Sequence, residues 1–152
     1  MYALVLMLHS WLRWVALVAG VGAIATTAAD RSVTMRTSRS DLWGLALMIA
    51  LDVQMLLGLL LYLVLSPFTT EAMRDFGAAM KNPALRFFAV EHVALMFAAV
   101  VVAHVGRVLA RKARTAEQKR SRLLICFVLA TIAMLLAMPW PGMASGRPLF
   151  RL

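Results

Sequence analysis

Four long apolar blocks occupy most of the chain, at residues 14–29, 42–65, 87–105 and 123–138. With its flanking residues, each block reaches the roughly 20 helical residues that cross a hydrocarbon core of ~30 Å. The apolar residues run continuously rather than alternating, which disfavours the strands of a membrane barrel. The hydrophobic fraction of 62% also exceeds the about 45–50% of a soluble domain. The sequence therefore predicts an all-α fold, a single integral membrane domain over residues 1–152 built as a four-transmembrane-helix bundle, with helices at about residues 3–29, 42–65, 84–110 and 121–138.

The net charge of +9 could indicate nucleic-acid binding, but the positions of the basic residues argue against it. Segment 30–41 holds three Lys or Arg residues and segment 107–122 holds seven, against six in the rest of the chain. If successive helices alternate in direction, these segments share a side, and short basic loops stay cytoplasmic. We therefore expect both termini on the outer, periplasmic side, with loops 30–41 and 107–122 in the cytoplasm and the second of them against anionic lipid headgroups. Indole side chains prefer the membrane–water interface. We expect Trp11, Trp14 and Trp140 at the interface on the outer side.

Capping residues and prolines predict where the helices begin and end. Asp41 is placed to cap the second helix. Ser66 and Pro67 should end it, because proline disfavours helical geometry in the residue before it. Asn82 as cap and Pro83 as first helical residue should start the third long helix. A short amphipathic helix is expected around residues 72–80, and the tail after residue 138 is expected to be irregular and external.

Two histidines, His9 and His92, are expected at similar depth in the outer part of the first and third long helices. His92 lies about five residues inside its helix, ~7 Å at 1.5 Å per residue. His9 falls within about one or two turns of that depth. Two imidazoles from different helices of a bundle can serve as the axial ligands of haem b iron. Arg13 and Arg86 would then neutralise the haem propionates.

The same residues also allow an interpretation without a cofactor. A histidine near the interface can hydrogen-bond a lipid headgroup, Arg13 can extend outward to the interface, and Arg13 could pair with Glu91. If a haem is bound, Met96 or Met55 could replace one histidine as ligand. Ionisable groups at membrane depth cost about 2.5–3.5 kcal/mol each, which makes them functional candidates.

Further polar residues mark the second and third long helices. Gln54, Gly58 and Tyr62 share one face, where the amide and hydroxyl could bind a neighbouring helix or line a pocket beside the haem and donate to a quinone carbonyl. Asp52 lies near mid-membrane, protonated or paired. His104 lies twelve residues after His92, about 18 Å deeper, and is expected to donate to a helix carbonyl or to contact Asp52 through water. Without a second histidine at its depth, one haem is favoured over two.

Several motifs in this order resemble a known family: LHSWLRW near the start, DVQMLLGLLLY in the second helix, NPALRFFAVEH and AHVGR in the third, and PWP and GRPLF near the end. Together they resemble small four-helix bacterial membrane proteins often labelled cytochrome b-like, over nearly the whole chain from Met1 to Phe150. The resemblance implies a compact four-helix bundle in the bacterial inner (cytoplasmic) membrane. It also implies that His9 and His92 match the family's outer-side histidines.

The sequence thus favours an electron carrier that holds one haem b between the first and third long helices. It would pass single electrons between a quinol or other membrane partner and an external acceptor. The alternative is a non-catalytic accessory subunit of a larger respiratory or photosynthetic complex, favoured by the scarcity of chemically active residues. A small transporter that uses Asp52 and Glu91 for proton coupling is disfavoured, because transporters commonly show internal repeats.

Overall fold

The computed structural model describes residues 1–29 and 39–150, and within these ranges the protein contains helices and no strand, which confirms the all-α prediction. Three helices are long and apolar enough to cross a membrane, and they indicate association with a lipid bilayer. We number the six helices in chain order: α1 Tyr2–Ala29, α2 Arg39–Leu65, α3 Pro67–Arg74, α4 Phe76–Lys81, α5 Pro83–Arg111 and α6 Ala116–Leu136. The membrane-length helices are α1, α2 and α5.

Helix α6 begins five residues earlier than the sequence predicts. The Thr115 side chain accepts a hydrogen bond from the Gln118 amide and caps the helix there. The added turns are polar, so α6 combines a charged start with an uncharged stretch that runs from residue 123 to its end. Because this charged start shortens its apolar stretch, α6 is not among the three membrane-length helices.

The predicted boundaries at Ser66 and Asn82 are confirmed. Helix α2 ends at Leu65, and the Ser66 hydroxyl accepts from the Thr69 amide to begin α3. The Asn82 side chain accepts from the Ala84 and Leu85 amides, with Pro83 as the first residue of α5.

Two of the other boundary predictions are wrong. Helix α2 begins at Arg39, so Asp41 lies in its first turn rather than at its cap, and the Asp41 carboxylate lies 2.8 Å from Lys119 Nζ. The single helix expected around residues 72–80 is two helices, α3 and α4. They are separated at Asp75, whose carboxylate accepts from the Ala78 amide. Most of the predicted loop 30–41 lies outside the described residues.

The four long helices pack as an antiparallel bundle. Helix α1 packs against α2 and α6, and α5 packs against the same two helices, so α1 and α5 face each other diagonally across the centre. Buried residues such as Leu47, Leu51 and Phe127 fill the middle of the bundle. Large apolar side chains on the outside, including Val18 and Leu63, remain exposed, as expected of surfaces that face lipid.

Two π-helical turns, Leu61–Leu65 at the end of α2 and Phe87–Glu91 in α5, lie at the same end of the bundle. The Tyr62 hydroxyl joins them by donating to the carbonyl oxygen of Ala89 at 2.9 Å. Thr69 in turn donates to the carbonyl oxygen of Tyr62 at 2.8 Å. π-Helical turns offset the side chains that follow them and are frequent at functional sites. His92 is the residue directly after the second turn.

The segment after α6, residues 137–150, folds back over this end of the bundle, and we call it the C-terminal strap. Gly142 has a φ of 92°, which a residue with a side chain rarely adopts, and it lets the strap reverse direction. The Leu149 carbonyl accepts hydrogen bonds from Arg13 Nη2 at 2.6 Å and Trp14 Nε1 at 3.1 Å. The Phe150 ring stacks on Trp14. The tail expected to be irregular is therefore tied to α1 by specific contacts.

Candidate functional site

A cavity of about 140 Å³ lies between α1 and α5 at the end of the bundle that the C-terminal strap covers. Both predicted histidines line it, as do Gln54 and Tyr62 of α2. Much of the remaining wall is apolar and flexible, and includes the four methionines Met55, Met96, Met134 and Met138.

His9 and His92 approach each other across the centre of the bundle. Their ring centroids lie 6.1 Å apart, and the ring planes cross at 66°. With metal–imidazole bonds of about 2.0–2.1 Å on either side, two rings in line across one metal ion would have centroids about 6 Å apart. The diagonal packing of α1 and α5 thus brings the two imidazoles to a separation that suits a shared metal ion.

One main-chain contact fixes the chemical form of His92. Its Nδ1 lies 2.7 Å from the carbonyl oxygen of Ala137, the first residue of the strap. A carbonyl oxygen can only accept, so Nδ1 carries the hydrogen and, in the neutral ring, Nε2 carries the lone pair. Ligand histidines commonly donate their other N–H to a carbonyl in this way. The rings of Phe87 and Phe88 flank the imidazole, with centroids 5.9 and 6.4 Å from that of His92.

Gln54 holds His9 from the neighbouring helix. Its amide nitrogen donates to the His9 carbonyl oxygen at 3.0 Å and contacts His9 Nε2 at 3.2 Å. Because an amide N–H₂ can only donate, Nε2 of His9 accepts and bears the lone pair. Nδ1 of His9 and Oε1 of Gln54 are both buried without a hydrogen-bond partner in the described part of the chain. Gly58 makes room for this ring, since a Cβ there would lie 3.3 Å from His9 Cε1.

Two arginines line the cavity, and only one of them was singled out in the sequence. Arg13 lines it, whereas Arg86 does not and instead donates to Glu91 at 2.6 Å. The second cavity-lining arginine is Arg147 of the strap, which lies 4.3 Å from the centre of the Phe68 ring. The sequence signal for Arg147 was its place in the GRPLF motif, the part of the resemblance nearest the end of the chain.

Tyr62 lines the cavity, but its hydroxyl hydrogen is directed at Ala89. The sequence left two kinds of partner open for Gln54 and Tyr62, a neighbouring helix or a quinone carbonyl. In the structure, both side chains hydrogen-bond to a neighbouring helix. Gln54 is 4% exposed and joins α2 to α1, so it also acts as a polar interhelical contact.

Asp52 and His104 lie elsewhere, on the outside of the bundle between α2 and α5. His104 Nε2 is 3.5 Å from the Asp52 carboxylate, and its Nδ1 donates to the Val100 carbonyl oxygen at 3.0 Å. Both side chains are nearly half exposed on a surface that otherwise carries apolar residues. The structure brings this pair together without connecting it to the histidine cavity.

The donor set of the cavity fits a metal held mainly by another ligand. No group of three or more His, Cys, Asp or Glu side chains that could hold a metal ion occurs within residues 1–29 and 39–150. Two imidazoles whose Nε2 atoms bear lone pairs, that of His9 in contact with the Gln54 amide, would suit an iron whose other ligands come from a macrocycle. The open space is close to that of a cavity that takes benzene, on the order of 150 Å³. A porphyrin would therefore enter only as the methionines change rotamer, which their unbranched side chains permit.

No protein-family model, curated protein or solved structure matches the chain.

Proposed function

We propose that the protein is a small membrane electron carrier that binds one haem b between α1 and α5, with His9 and His92 as axial ligands. The observation that carries this proposal is the 6.1 Å approach of the two imidazoles across the bundle centre. Support comes from the Ala137 contact, which leaves His92 Nε2 with its lone pair. Haem b, when bound, supplies one-electron redox chemistry.

The residues around the cavity would hold and shield such a cofactor. Gln54 keeps the His9 ring in place until a ligand replaces its contact at Nε2. Arg13 and Arg147 line the cavity, and their guanidinium groups can pair with carboxylates such as propionates. Arg86, paired with Glu91, would serve only if it left that partner. Residues of the strap line the cavity and cover it, and burial is one of the properties that set a haem potential.

The proposed topology has four transmembrane helices, α1, α2, α5 and α6, with both termini on the periplasmic side of a bacterial inner membrane. The antiparallel packing supports it, because loops 30–41 and 107–122, which carry ten of the sixteen Lys and Arg residues, then share the cytoplasmic side. Trp11, Trp14 and Trp140 mark the opposite end. The histidine cavity would face the periplasmic side, where an external acceptor could take an electron delivered by a quinol or other membrane partner.

The test is a dithionite-reduced minus oxidised absorption spectrum of the full chain purified in detergent. We expect a sharp α band of b type, either as purified or after hemin is added. A featureless spectrum, with no haem taken up, would overturn the proposal. It would favour the accessory-subunit alternative, which deletion of the protein and assay of the respiratory or photosynthetic complexes would then examine.

A further inference from the structure

A second cavity, of about 210 Å³, lies at the opposite end of the bundle from the histidine pair. It is formed by the start of α2, the end of α5 and the start of α6. Its lining combines charged and apolar side chains: Asp41, Arg107, Ala110, Arg111, Lys119 and Leu123. Three cations and one carboxylate therefore surround the space, and the cavity has a net positive charge.

The carboxylate in the cavity pairs with the lysine and also attracts the Arg107 guanidinium, so a single carboxylate faces three cations. Lys119, which is 8% exposed, lies with Nζ 2.8 Å from Asp41 Oδ2. Arg107 donates from Nη1 to the main-chain oxygen of Asp41, but its Nε is buried without an acceptor among the described residues. Neither Arg107 nor Arg111 forms an ion pair with a carboxylate in the described ranges. A buried guanidinium N–H without an acceptor is costly, and an acceptor that drew this side chain toward the cavity would relieve that cost.

Neighbouring basic residues show the contrast, because intramolecular acceptors already satisfy them. Arg120 donates to the carbonyl oxygens of Thr27 and Ala28, the last turn of α1, at 3.0 and 2.6 Å. Arg122 donates to the Leu109 carbonyl oxygen near the end of α5 at 2.7 Å. These two arginines neutralise helix C-termini, where cations are favourable. Of the cations in segment 107–122 that form no described ion pair, Arg107 and Arg111 line the cavity, whereas Lys112 and Arg114 lie outside it.

We propose that this cavity binds a phosphate group, and that the natural source is the headgroup of an anionic phospholipid. Guanidinium groups donate two parallel N–H bonds to phosphate oxygens, which suits Arg107 and Arg111. Ala110 and Leu123 give the same cavity an apolar wall that would accommodate the glycerol and upper acyl chain. The cavity lies at the end of the apolar helix α5, the level at which headgroups meet a bundle, and basic pockets between helices on the cytoplasmic side bind such lipids. Free inorganic phosphate could form the same hydrogen bonds to the two arginines as a lipid phosphate.

The experiment uses the delipidated full chain in detergent and follows the rise in Tm during two titrations. One titration uses dioctanoyl phosphatidylglycerol, with dioctanoyl phosphatidylcholine as the neutral lipid, and the other uses inorganic phosphate. Arg111→Gln removes a cavity donor that makes no described hydrogen bond, and Arg111→Lys keeps the charge without the planar double donor. Lys112→Gln is the matched control, since it removes the same charge one residue away and outside the cavity lining.

We expect phosphatidylglycerol to raise Tm, and Arg111→Gln to weaken that binding about tenfold, the scale of a hydrogen bond to a charged group. Arg111→Lys should fall between Arg111→Gln and the unaltered chain, while Lys112→Gln should bind as the unaltered chain does. Protection by inorganic phosphate at equal strength, lost in Arg111→Gln, would retain the phosphate site and identify free phosphate as its ligand. Equal losses in Arg111→Gln and Lys112→Gln, or a shift with phosphatidylcholine alone, would overturn the proposal.

Discussion

Nδ1 of His92 lies 2.7 Å from the carbonyl oxygen of Ala137, and this contact joins α5 to the first residue after α6. It also fixes which ring nitrogen of His92 is free for a ligand. The same strap contacts Arg13, Trp14 and Phe68 further along, so the chain that orients the histidine also covers the cavity. The position of the imidazole therefore depends on the end of the chain as well as on α5.

Replacing His9 or His92 with alanine should abolish haem binding, because each supplies one of the two proposed axial lone pairs. His104→Ala is the matched control, since this histidine lies outside the cavity and pairs with Asp52. The measurement is the reduced minus oxidised spectrum of each variant after hemin is added, with circular dichroism to show that the helices persist. A b-type spectrum unchanged in both His9→Ala and His92→Ala would remove these residues as ligands.

Arg147→Ala should loosen the C-terminal strap. The guanidinium lies 4.3 Å from the Phe68 ring centre and 5.1 Å from that of Phe88, two cation–π contacts that together contribute about 1 kcal/mol. We expect a lower Tm in detergent and faster proteolysis within residues 137–150. Arg74→Ala removes the same charge from the exposed end of α3 and should leave both quantities unchanged. Equal behaviour of the two variants would show that Arg147 does not hold the strap.

Gly22→Ala should destabilise the contact between α1 and α2. A Cβ at Gly22 would collide with the ring of Trp43, so the indole or one of the two helices would have to shift. Overpacking of this kind costs about 1–3 kcal/mol, measured as a loss of unfolding free energy in mixed detergent. Gly77→Ala is the control, because the nearest atom to a Cβ there is 3.5 Å away in the short helix α4. At Gly77, alanine should be neutral or slightly stabilising. A Gly22→Ala variant as stable as the unaltered chain would contradict the close contact between Gly22 and Trp43.

The sequence predicted helix boundaries well where the boundary depends on interactions between residues close together in the chain. The caps at Ser66 and Asn82 are hydrogen bonds between a side chain and an amide two or three residues further along the chain. The residues nearby in the sequence are therefore enough to predict them. Asp41 has the same cap chemistry, but Lys119 of a distant helix takes its carboxylate, and the helix begins earlier. A preference worth about 1 kcal/mol at a cap is readily overridden by such a contact.

The candidate site could be predicted only in part for a similar reason. Helical rise predicted a comparable depth for His9 and His92, but it could not predict the rotation of α1 and α5 that brings the ring centroids within 6.1 Å. The Leu149 contacts join residues more than 130 positions apart, and nothing local to Leu149 indicates them. The π-helical turns likewise have no sequence signature in this chain, although they set the direction of the residues that follow.

The Asp52–His104 pair should behave as two mutually dependent groups. His104 Nε2 lies 3.5 Å from the carboxylate, on a surface of the bundle that is otherwise apolar. His104→Leu alone leaves Asp52 without that partner, whereas the double variant Asp52→Leu with His104→Leu removes both groups and should recover most of the loss. In a double-mutant cycle of unfolding free energies we expect a coupling of about 0.6 kcal/mol, the average for polar contacts between membrane helices. Strictly additive effects would instead indicate that each side chain interacts with the lipid or with another molecule independently, because the cost of either group would then not depend on the other.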